Sequence, residues 1–547
     1  MLGRTLHEYI FIRACIVPLR YPILPYAALL LASLLGANYA ASSSSSSSKW
    51  LTTAAVTTCM AATELIYALF IWLPYTKRLR EPASHPSPSS PADRLALFER
   101  CMATIPDFER YVRMWFLGAD MADIHRDNVR DFLLWAFFDM GEKDVGRASA
   151  RDGENYDVEV DQYITRSERL LGRPFKPGRG PAKCLRLTID SVDTKYRTVW
   201  WYAIMAFLDH VTHLSLWFYG FQYYAQPKDK AIFPPRLQQV FASRRSSAGN
   251  LSYWHRPHRA EGLPVVFLHG IGIGLWPYVR FLAEITTMRI RGRGRTGVIA
   301  IEILPVSFRL TDPPLGKEVF LRQFKQIVNH HAWDKFALVS HSYGSILSTH
   351  AMRCPDLQAR IPRAVLIDPV SILLHLPDVA YNFTRRAPST ANEWQLWYFA
   401  SMDPGVAHCL GRYFFWRENA IWADELVGRT AGSESVGVER QEARQVTVCL
   451  SGLDLIVDSH AVARYLAEGG QGQQTEHPAW LQGEHGRRDV AGPKAAPISG
   501  MGYESHRSAG SGIDILWFPD KDHAQVFDSP RAIARIVGAI WGDDEAR

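Results

Sequence analysis

Short runs of apolar residues alternate with helical patterns through the second half of the chain, from Pro264 onward. Runs of this kind, rich in Val and Ile and bounded by polar turns, are typical of strands buried on both faces of a parallel sheet. The candidate strands are residues 264–268, 297–303, 335–340, 363–367, 445–450 and 513–518. The pattern predicts an α/β domain with a mostly parallel central sheet over residues 262–541.

One long stretch interrupts this alternation. Residues 468–512, between the fifth and sixth candidate strands, are rich in Gly, Gln, His, Arg and Pro and poor in apolar residues. Such a composition cannot bury enough apolar surface to offset the entropy of ordering the chain. We therefore expect a disordered insertion there.

The first 80 residues have a different pattern, with two apolar blocks at about residues 22–41 and 50–75 separated by a run of serines. About 20 apolar residues in a helix cross the ~30 Å core of a bilayer, so the blocks predict a membrane anchor of two transmembrane helices. A cleaved signal peptide is the alternative for the first block, because it ends on the small residues Ala37, Ala40 and Ala41.

Basic residues are more frequent outside the two blocks than between them. Arg4, Arg13 and Arg20 precede the first block, and Lys77, Arg78 and Arg80 follow the second. Only Lys49 lies between the blocks. The positive-inside rule then places both ends of the anchor, and the domain that follows, on the cytoplasmic side. Glu64 lies within the second block, where a carboxylate has either a functional role or a packing role between helices.

The region between anchor and α/β domain is predicted to be helical. Residues 81–93 are rich in Pro and Ser and predict a linker, and residues 94–250 follow a helical pattern. Within the latter, the aromatic stretch 199–224 also contains Asp209, His210 and His213. Central polar groups favour a helix at the membrane interface or beside a pocket, with a core helix and a third span as alternatives.

Composition narrows the class of protein. The 547 residues are 47% hydrophobic and 12% aromatic, enough for a large core, which excludes disorder over most of the length. The 61 basic and 55 acidic residues are spread without a long basic tract, which argues against nucleic-acid binding. The seven cysteines lie singly, with no CxxC pair, so we expect a reduced, cytosol-facing protein without a zinc site.

The strongest chemical signal is a strand–turn–helix junction. The sequence Ser340-His341-Ser342-Tyr343-Gly344 follows the candidate strand 335–340 and precedes a helical run. In a nucleophile elbow, a sharp turn at this place lifts a serine hydroxyl to the carboxyl edge of the sheet. Small residues are needed two positions before and after the serine, and here a serine replaces the first usual glycine. The pattern predicts Ser342 as the nucleophile, against the alternative of an incidental serine-rich turn.

A glycine-rich turn follows the first candidate strand. The backbone N–H of Gly270 or Ile271, together with that of Tyr343, is predicted to form an oxyanion hole. The spacing of Gly270, Gly272 and Gly274 lacks the third glycine of a dinucleotide fingerprint, so no nucleotide cofactor is expected.

A serine hydroxyl needs an imidazole to take its proton, and the imidazole needs an acid to orient it. His523 lies just beyond the last candidate strand and is the predicted base. Asp454 follows the fifth candidate strand and is the favoured acid. Asp368, at the end of the fourth strand, and Asp458, which could instead cap a helix, are the alternatives.

The His-Gly turn, SHSYG, GLDLIV and DHAQVF occur in this order, and with them the chain resembles the α/β-hydrolase superfamily of the AB hydrolase-1 type over about residues 262–541. With the N-terminal blocks, the whole chain resembles a fungal membrane-anchored group of these hydrolases. The resemblance implies an α/β-hydrolase fold with a helical cap at about residues 369–442, a stretch rich in Trp, Tyr and Phe.

An aromatic cap beside a membrane anchor points to a small apolar ester or a lipid as substrate and to membrane lipid as a partner. The expected protein is a membrane-anchored serine hydrolase, esterase- or lipase-like, that needs neither a metal nor an organic cofactor. An acyltransferase on the same fold and a non-catalytic membrane binding scaffold are the alternatives, because a fold does not choose a reaction. No feature of the sequence indicates the oligomeric state.

Overall fold

A nine-stranded sheet forms the centre of the computed structural model, which describes residues 2–42, 48–230, 232–287, 295–428, 443–470, 504–507 and 512–541. The strands are β1 Gln222–Tyr224, β2 Ser252–Arg256, β3 Val265–Leu268, β4 Val298–Glu302, β5 Ala337–His341, β6 Arg363–Ile367, β7 Gln445–Ser451, β8 Glu504–Arg507 and β9 Ile513–Phe518. Their spatial order is β1-β2-β4-β3-β5-β6-β7-β9-β8.

The six central strands, β4-β3-β5-β6-β7-β9, run parallel to one another, and they coincide with the six apolar runs of the sequence. The predicted α/β fold with a mostly parallel sheet is confirmed. Strands β1 and β2 at one end of the sheet and β8 at the other pair in antiparallel fashion and were not predicted. Strand β8 is held at the edge of the sheet by backbone hydrogen bonds to β9, and such pairing does not require apolar side chains. It can therefore form in a stretch of low hydrophobicity. The prediction of disorder is therefore wrong for Glu504–Arg507, while 471–503 and 508–511 lie outside the described residues.

Helices cover both faces of the sheet. The α-helices are α1 Leu6–Arg20, α2 Ile23–Ser42, α3 Ser48–Tyr67, α4 Leu73–Arg78, α5 Pro91–Ala103, α6 Phe108–Trp115, α7 Arg126–Phe138, α8 Val145–Asp152, α9 Tyr156–Leu171, α10 Val199–Phe218, α11 Leu237–Val240, α12 Val279–Thr287, α13 Lys317–His330, α14 Gly344–Arg353, α15 Pro355–Gln358, α16 Pro377–Thr384, α17 Ala391–Gln395, α18 Pro404–Arg412, α19 Trp416–Asn419, α20 Ala423–Leu426, α21 Ser459–Ala467 and α22 Pro530–Trp541. A π-helical turn, Ala68–Trp72, joins α3 to α4, and another, Leu396–Ser401, continues α17.

The core has two halves, one on each face of the sheet. Val265 and Phe267 of β3 belong to the half covered by α12 and α22, and Val266 and Leu268 belong to the other half. This is the alternation that a strand buried on both faces requires. The half that contains Val266 and Leu268 is the larger, because α13, α14, the cap helices α16 and α18–α20 and the segment α5–α9 all pack into it.

Two helices of the predicted N-terminal anchor, α2 and α3, pack together. The continuous helix Thr52–Arg78 is long and apolar enough to cross a membrane. Helices α1 and α2 meet the same criterion only as a pair, bent by 76° where they join. Of the two predicted spans, the second thus meets the criterion alone and the first meets it only together with α1.

Glu64, in the second predicted span, connects the anchor to the rest of the protein. Its carboxylate accepts hydrogen bonds from the hydroxyl of Tyr196 at 2.5 Å and from the backbone N–H of Val199 at 3.2 Å. Val199 is the first residue of α10, so the carboxylate of Glu64 lies at the positive end of that helix. These contacts give Glu64 the packing role rather than a role in chemistry.

Helices α5–α9 pack against the cap. Arg110 of α6 pairs with Asp378 of α16 at 2.7 Å, and the indole N–H of Trp416 in α19 donates to the carbonyl of Ala136 in α7 at 2.9 Å. The helical segment that precedes the α/β domain is therefore continuous with the cap.

Candidate active site

The predicted nucleophile lies in a sharp turn between β5 and α14. Ser342 has a backbone φ of 50°, in the left-handed region that non-glycine residues seldom occupy. Its N–H donates to the carbonyl of Ile367 at 2.9 Å, which ties the turn to the neighbouring strand β6. The hydroxyl stands at the carboxyl edge of the sheet and at the N-terminus of α14, where the helix dipole favours negative charge.

The turn has room only for small neighbours. A Cβ on Gly344 would lie 2.2 Å from the carbonyl oxygen of Leu268, and one on Gly270 would lie 2.9 Å from the Cβ of Ser342. Ser340 is fully buried but fits, and its hydroxyl has no partner among the described residues. The second glycine of the elbow is therefore required, whereas the first is replaceable by serine.

Substituting Gly344 by Ala is expected to lower the free energy of unfolding by about 2 kcal/mol or more, because the new methyl group meets a backbone oxygen that cannot move aside. Gly146→Ala in α8 is the control, since nothing lies within 4 Å of its added Cβ. Denaturant titration measures both variants. Equal stability of the two would contradict the tight elbow.

A hydrogen-bonded chain links three of the predicted residues. The Nε2 atom of His523 lies 2.9 Å from the hydroxyl of Ser342, and its Nδ1 atom lies 2.7 Å from the carboxylate of Asp454. All three side chains are buried. A proton can pass from the serine to the imidazole while the carboxylate fixes the tautomer.

Three predicted acids follow the ends of β6 and β7, but only Asp454 bonds to the imidazole. Its other oxygen accepts from the N–H groups of Ile456 at 2.7 Å and Val457 at 2.9 Å, which hold the carboxylate in place. Asp458 accepts from the N–H of Ala461 at 3.1 Å and caps α21. The geometry therefore favours Asp454.

Asp368 has a different function at the same edge of the sheet. It accepts from the N–H of Ser451 at 3.0 Å and from the N–H of Ala524 at 2.9 Å, so it joins β7 to the loop that carries His523. Ligand atoms of Asp368, Asp454 and His523 lie within 4.8 Å of one another, an arrangement that could hold a metal ion. Since hydrogen bonds to protein groups already occupy these atoms, we assign the cluster to the proton relay.

A second supporting carboxylate was missed by the sequence reasoning. Asp522 accepts from the N–H of His523 at 2.7 Å and from the N–H of Leu455 at 2.9 Å, and the amide of Asn392 donates to its other oxygen at 2.5 Å. Asp522 directly precedes the base, which was a usable signal. Asn392 lies in the cap, 130 residues away in sequence, and gave none.

The structure corrects the predicted oxyanion hole. The N–H of Gly270 already donates to the hydroxyl of Tyr278 at 3.2 Å, and that hydroxyl also bonds His341 at 2.8 Å. Gly270 is thus excluded as a donor to the oxyanion, because its N–H is already bonded to Tyr278. The spacing of glycines in the turn could not reveal this contact. The N–H groups of Ile271 and Tyr343 make no hydrogen bond within the described part of the chain, and they remain as the candidate pair.

The charges around His523 favour its protonated form. Burial opposes protonation, but the charge and hydrogen bond of Asp454, with the charges of Asp368 and Asp522, outweigh it and raise the pKa of His523 to about 9. Burial and the neighbouring Asp454 raise the pKa of Asp368 to about 6. Burial holds the pKa of His341 well below its usual value, so this second imidazole stays neutral beside the first.

The pH dependence of activity follows from these shifts. A general base must be neutral to accept a proton, so activity falls as the pH drops through its pKa. Because the pKa of His523 is raised above its ordinary 6.5, we expect the loss of kcat/KM with falling pH to have its midpoint above pH 6.5. Asp368→Asn removes one of the charges that raise the pKa of His523, so it is expected to move this midpoint to lower pH. Asp458→Asn is expected to leave the midpoint unchanged. If the midpoint of this fall in kcat/KM lay at or below pH 6.5 in the unsubstituted protein, the assignment of His523 as the base would be contradicted.

An apolar cavity of about 50 Å³ opens at Ser342. Its walls come from three parts of the chain: the helical segment, the cap and the turns around the elbow. The lining residues are Trp115, Trp135, Leu187, Ile271, Ser342, Tyr343, Val370, Leu374, Val379, Ala380, Phe383, Thr384, Leu410, Phe414, Trp416 and Ile456. None of them is charged, so the cavity suits an uncharged apolar group.

Comparison with known proteins agrees with this fold. The model of the alpha/beta hydrolase family matches residues 265–536, and this part of the chain is an alpha/beta hydrolase domain. Solved structures of similar fold include carboxylesterase CesB from Bacillus subtilis, at 12% identity over 62% of this chain and 98% of that chain with a TM-score of 0.32. Naproxen esterase from Bacillus subtilis has 11% identity, the same two coverages and a TM-score of 0.34. No match was found among curated proteins.

Proposed function

We propose that this protein is a membrane-anchored serine hydrolase that cleaves carboxylic esters with apolar acyl groups. The observation that carries the proposal is the hydrogen-bonded chain from the hydroxyl of Ser342 through His523 to Asp454, beside an uncharged cavity. A buried nucleophile, base and orienting acid in this geometry form the general arrangement for acyl transfer.

In this mechanism the Ser342 oxygen attacks the ester carbonyl while His523 takes the hydroxyl proton. The negative oxygen of the tetrahedral intermediate is stabilised by the N–H groups of Ile271 and Tyr343 and by the dipole of α14. The C–O bond then breaks, and the imidazolium gives its proton to the leaving alcohol. Water, deprotonated by the same imidazole, attacks the acyl-enzyme and releases the acid.

The anchor and its side of the membrane belong to the same proposal. The hairpin of α2 and α3 is the membrane-inserted part, supported by the apolar helix Thr52–Arg78. The basic residues on both flanks of the hairpin support a position of the hydrolase domain on the cytoplasmic face. The substrate is an apolar ester or lipid that is reached from the membrane, and nucleic acid is not a partner.

The direct test is turnover of p-nitrophenyl esters of increasing acyl length by the detergent-solubilised full chain. We expect slender unbranched acyl groups to be preferred over bulky or branched ones, because the cavity is small, about 50 Å³. The same assay with added alcohol or thiol separates hydrolysis from acyl transfer through the products formed. Lack of turnover of every ester by folded protein would contradict the proposal.

Trp115, from the helical segment, forms part of the cavity wall, and its replacement tests whether this wall contacts the acyl group. Replacing Trp115 by Leu widens the cavity, so the ratio of kcat/KM for a bulky ester to that for a slender ester should rise about 10-fold, a size typical of one or two methylene groups in an apolar pocket. Trp276→Leu is the matched control, because Trp276 does not line the cavity. An unchanged ratio in Trp115→Leu would exclude this wall from the acyl site.

A further inference from the structure

Helix α10 exposes one long apolar face. Its exposed large side chains recur every three or four residues for the most part, which places them on a single side of the helix. They are Trp200, Ile204, Phe207, Leu214, Trp217 and Phe218. The exposed fraction reaches 68% for Trp217 and 79% for Phe218, far more than a core helix of a soluble domain requires.

The opposite side of α10 is fixed to the hydrolase domain. Asp209, the one charged residue of the helix, is buried and pairs with Arg309 and, at 3.4 Å, with Arg236. A helix that is bound on one side by buried ion pairs cannot act as a free third span. Of the alternatives for residues 199–224, the structure therefore favours a helix lying on a surface.

Helix α1 has the same two-sided character. Leu6, Ile10, Phe11 and Val17 form its exposed apolar side. On the other side, Ile12 and Ile16 are buried in a cluster with residues of the cap. The guanidinium of Arg13 also lies 3.9 Å from the ring centre of Trp394, which fixes α1 on the cap.

Both faces adjoin the anchor. Helix α1 leads directly into α2 at the 76° bend, and the N-terminus of α10 contacts Glu64 of α3. The exposed sides of α2 and of the helix Thr52–Arg78 also carry large apolar side chains, and Leu31, Leu35 and Phe70 are more than half exposed. The apolar surface thus runs from the candidate span onto α1 in one direction and onto α10 in the other.

From this continuity we propose that a lipid bilayer covers α1 and α10, which lie in its interfacial layer and hold the hydrolase domain against the membrane. Contiguous exposed apolar surface of this extent marks an interaction site, and two-sided helices that flank a membrane-inserted segment are suited to the interface plane. The proposal goes beyond anchoring, because an anchor alone would leave the domain free to move away from the membrane. It does not depend on the ester chemistry.

Fluorescence quenching at the far ends of the two helices tests it. Leu214 lies about 22 Å along α10 from Val199, so it meets lipid only if the whole helix lies on the membrane. An environment-sensitive fluorophore is attached to Leu214→Cys and, separately, Leu6→Cys in the full chain, reconstituted into phosphatidylcholine vesicles containing nitroxide-labelled lipid. Arg151→Cys, exposed on α8, is the matched control, and the unsubstituted protein is labelled in parallel to subtract native cysteines.

We expect blue-shifted emission and loss of most of the intensity at positions 214 and 6, and no quenching at position 151. Flotation of the protein with the vesicles, but with labels at 214 and 6 that remain accessible to aqueous iodide, would overturn the docking proposal while leaving the anchor intact. Blue-shifted emission without lipid quenching would assign the faces to a second copy of the chain instead. Failure to float would contradict both the anchor and the docking.

Discussion

Substituting Ser342 by Ala should reduce kcat for ester hydrolysis by roughly 10⁶-fold, the loss typical of removing a nucleophile from an intact relay. The hydroxyl of Ser342 lies 2.9 Å from the imidazole that would activate it, and water cannot replace it in forming an acyl-enzyme. Stability should change little, because the hydroxyl is lost from a site at the mouth of a cavity rather than from the packed core.

Ser340→Ala is the matched control for this experiment. It removes a hydroxyl two residues earlier in the same buried turn, one that has no partner in the described structure. We expect it to keep activity within a few-fold of the unsubstituted protein. If Ser342→Ala and Ser340→Ala had similar activities, Ser342 would not be the nucleophile.

Substituting Asp454 by Asn should lower kcat about 10⁴-fold, because an amide stabilises the wrong tautomer of the imidazole and cannot balance the imidazolium. Asp454 is the one acid of the three predicted that bonds to the ring, at 2.7 Å. Kinetics of purified, folded protein measure this loss.

The two alternative acids are the controls for that loss. Asp458→Asn should retain most of the activity and nearly all of the stability, because Asp458 caps α21 and an Asn side chain accepts the same hydrogen bond. Asp368→Asn should act through the pH profile more than through kcat at its optimum. A 10⁴-fold loss in Asp368→Asn, with a small one in Asp454→Asn, would move the role of acid to the end of β6.

The parts of the fold that were predictable from sequence are those that bury apolar residues in short uninterrupted runs. The six parallel strands satisfy this condition, since both of their faces are covered, and their ends locate Ser342, Asp454 and His523 along the chain. Strands β1, β2 and β8 do not satisfy it. Strands β1 and β8 are short edge strands, and their backbone pairing leaves no side-chain signal. Strand β2 lies between β1 and β4, and its sequence Ser-Tyr-Trp-His-Arg is not an uninterrupted apolar run.

Contacts between distant segments account for the rest. The occupied N–H of Gly270 depends on the hydroxyl of Tyr278, and the support of Asp522 depends on Asn392 in the cap. Trp115 reaches the cavity from a helical segment more than 200 residues before the nucleophile. Local pattern and spacing carry no information about such approaches, so chain topology had to be known before these residues could be assigned.

The assignment of Ser342 as an activated nucleophile is tested most directly by labelling the detergent-solubilised full chain with a fluorophosphonate and locating the modified peptide by mass spectrometry. The mechanism predicts a single adduct on Ser342 that is absent from Ser342→Ala and strongly reduced in His523→Ala. An unlabelled protein shown to be folded, or an adduct on a different serine, would contradict it.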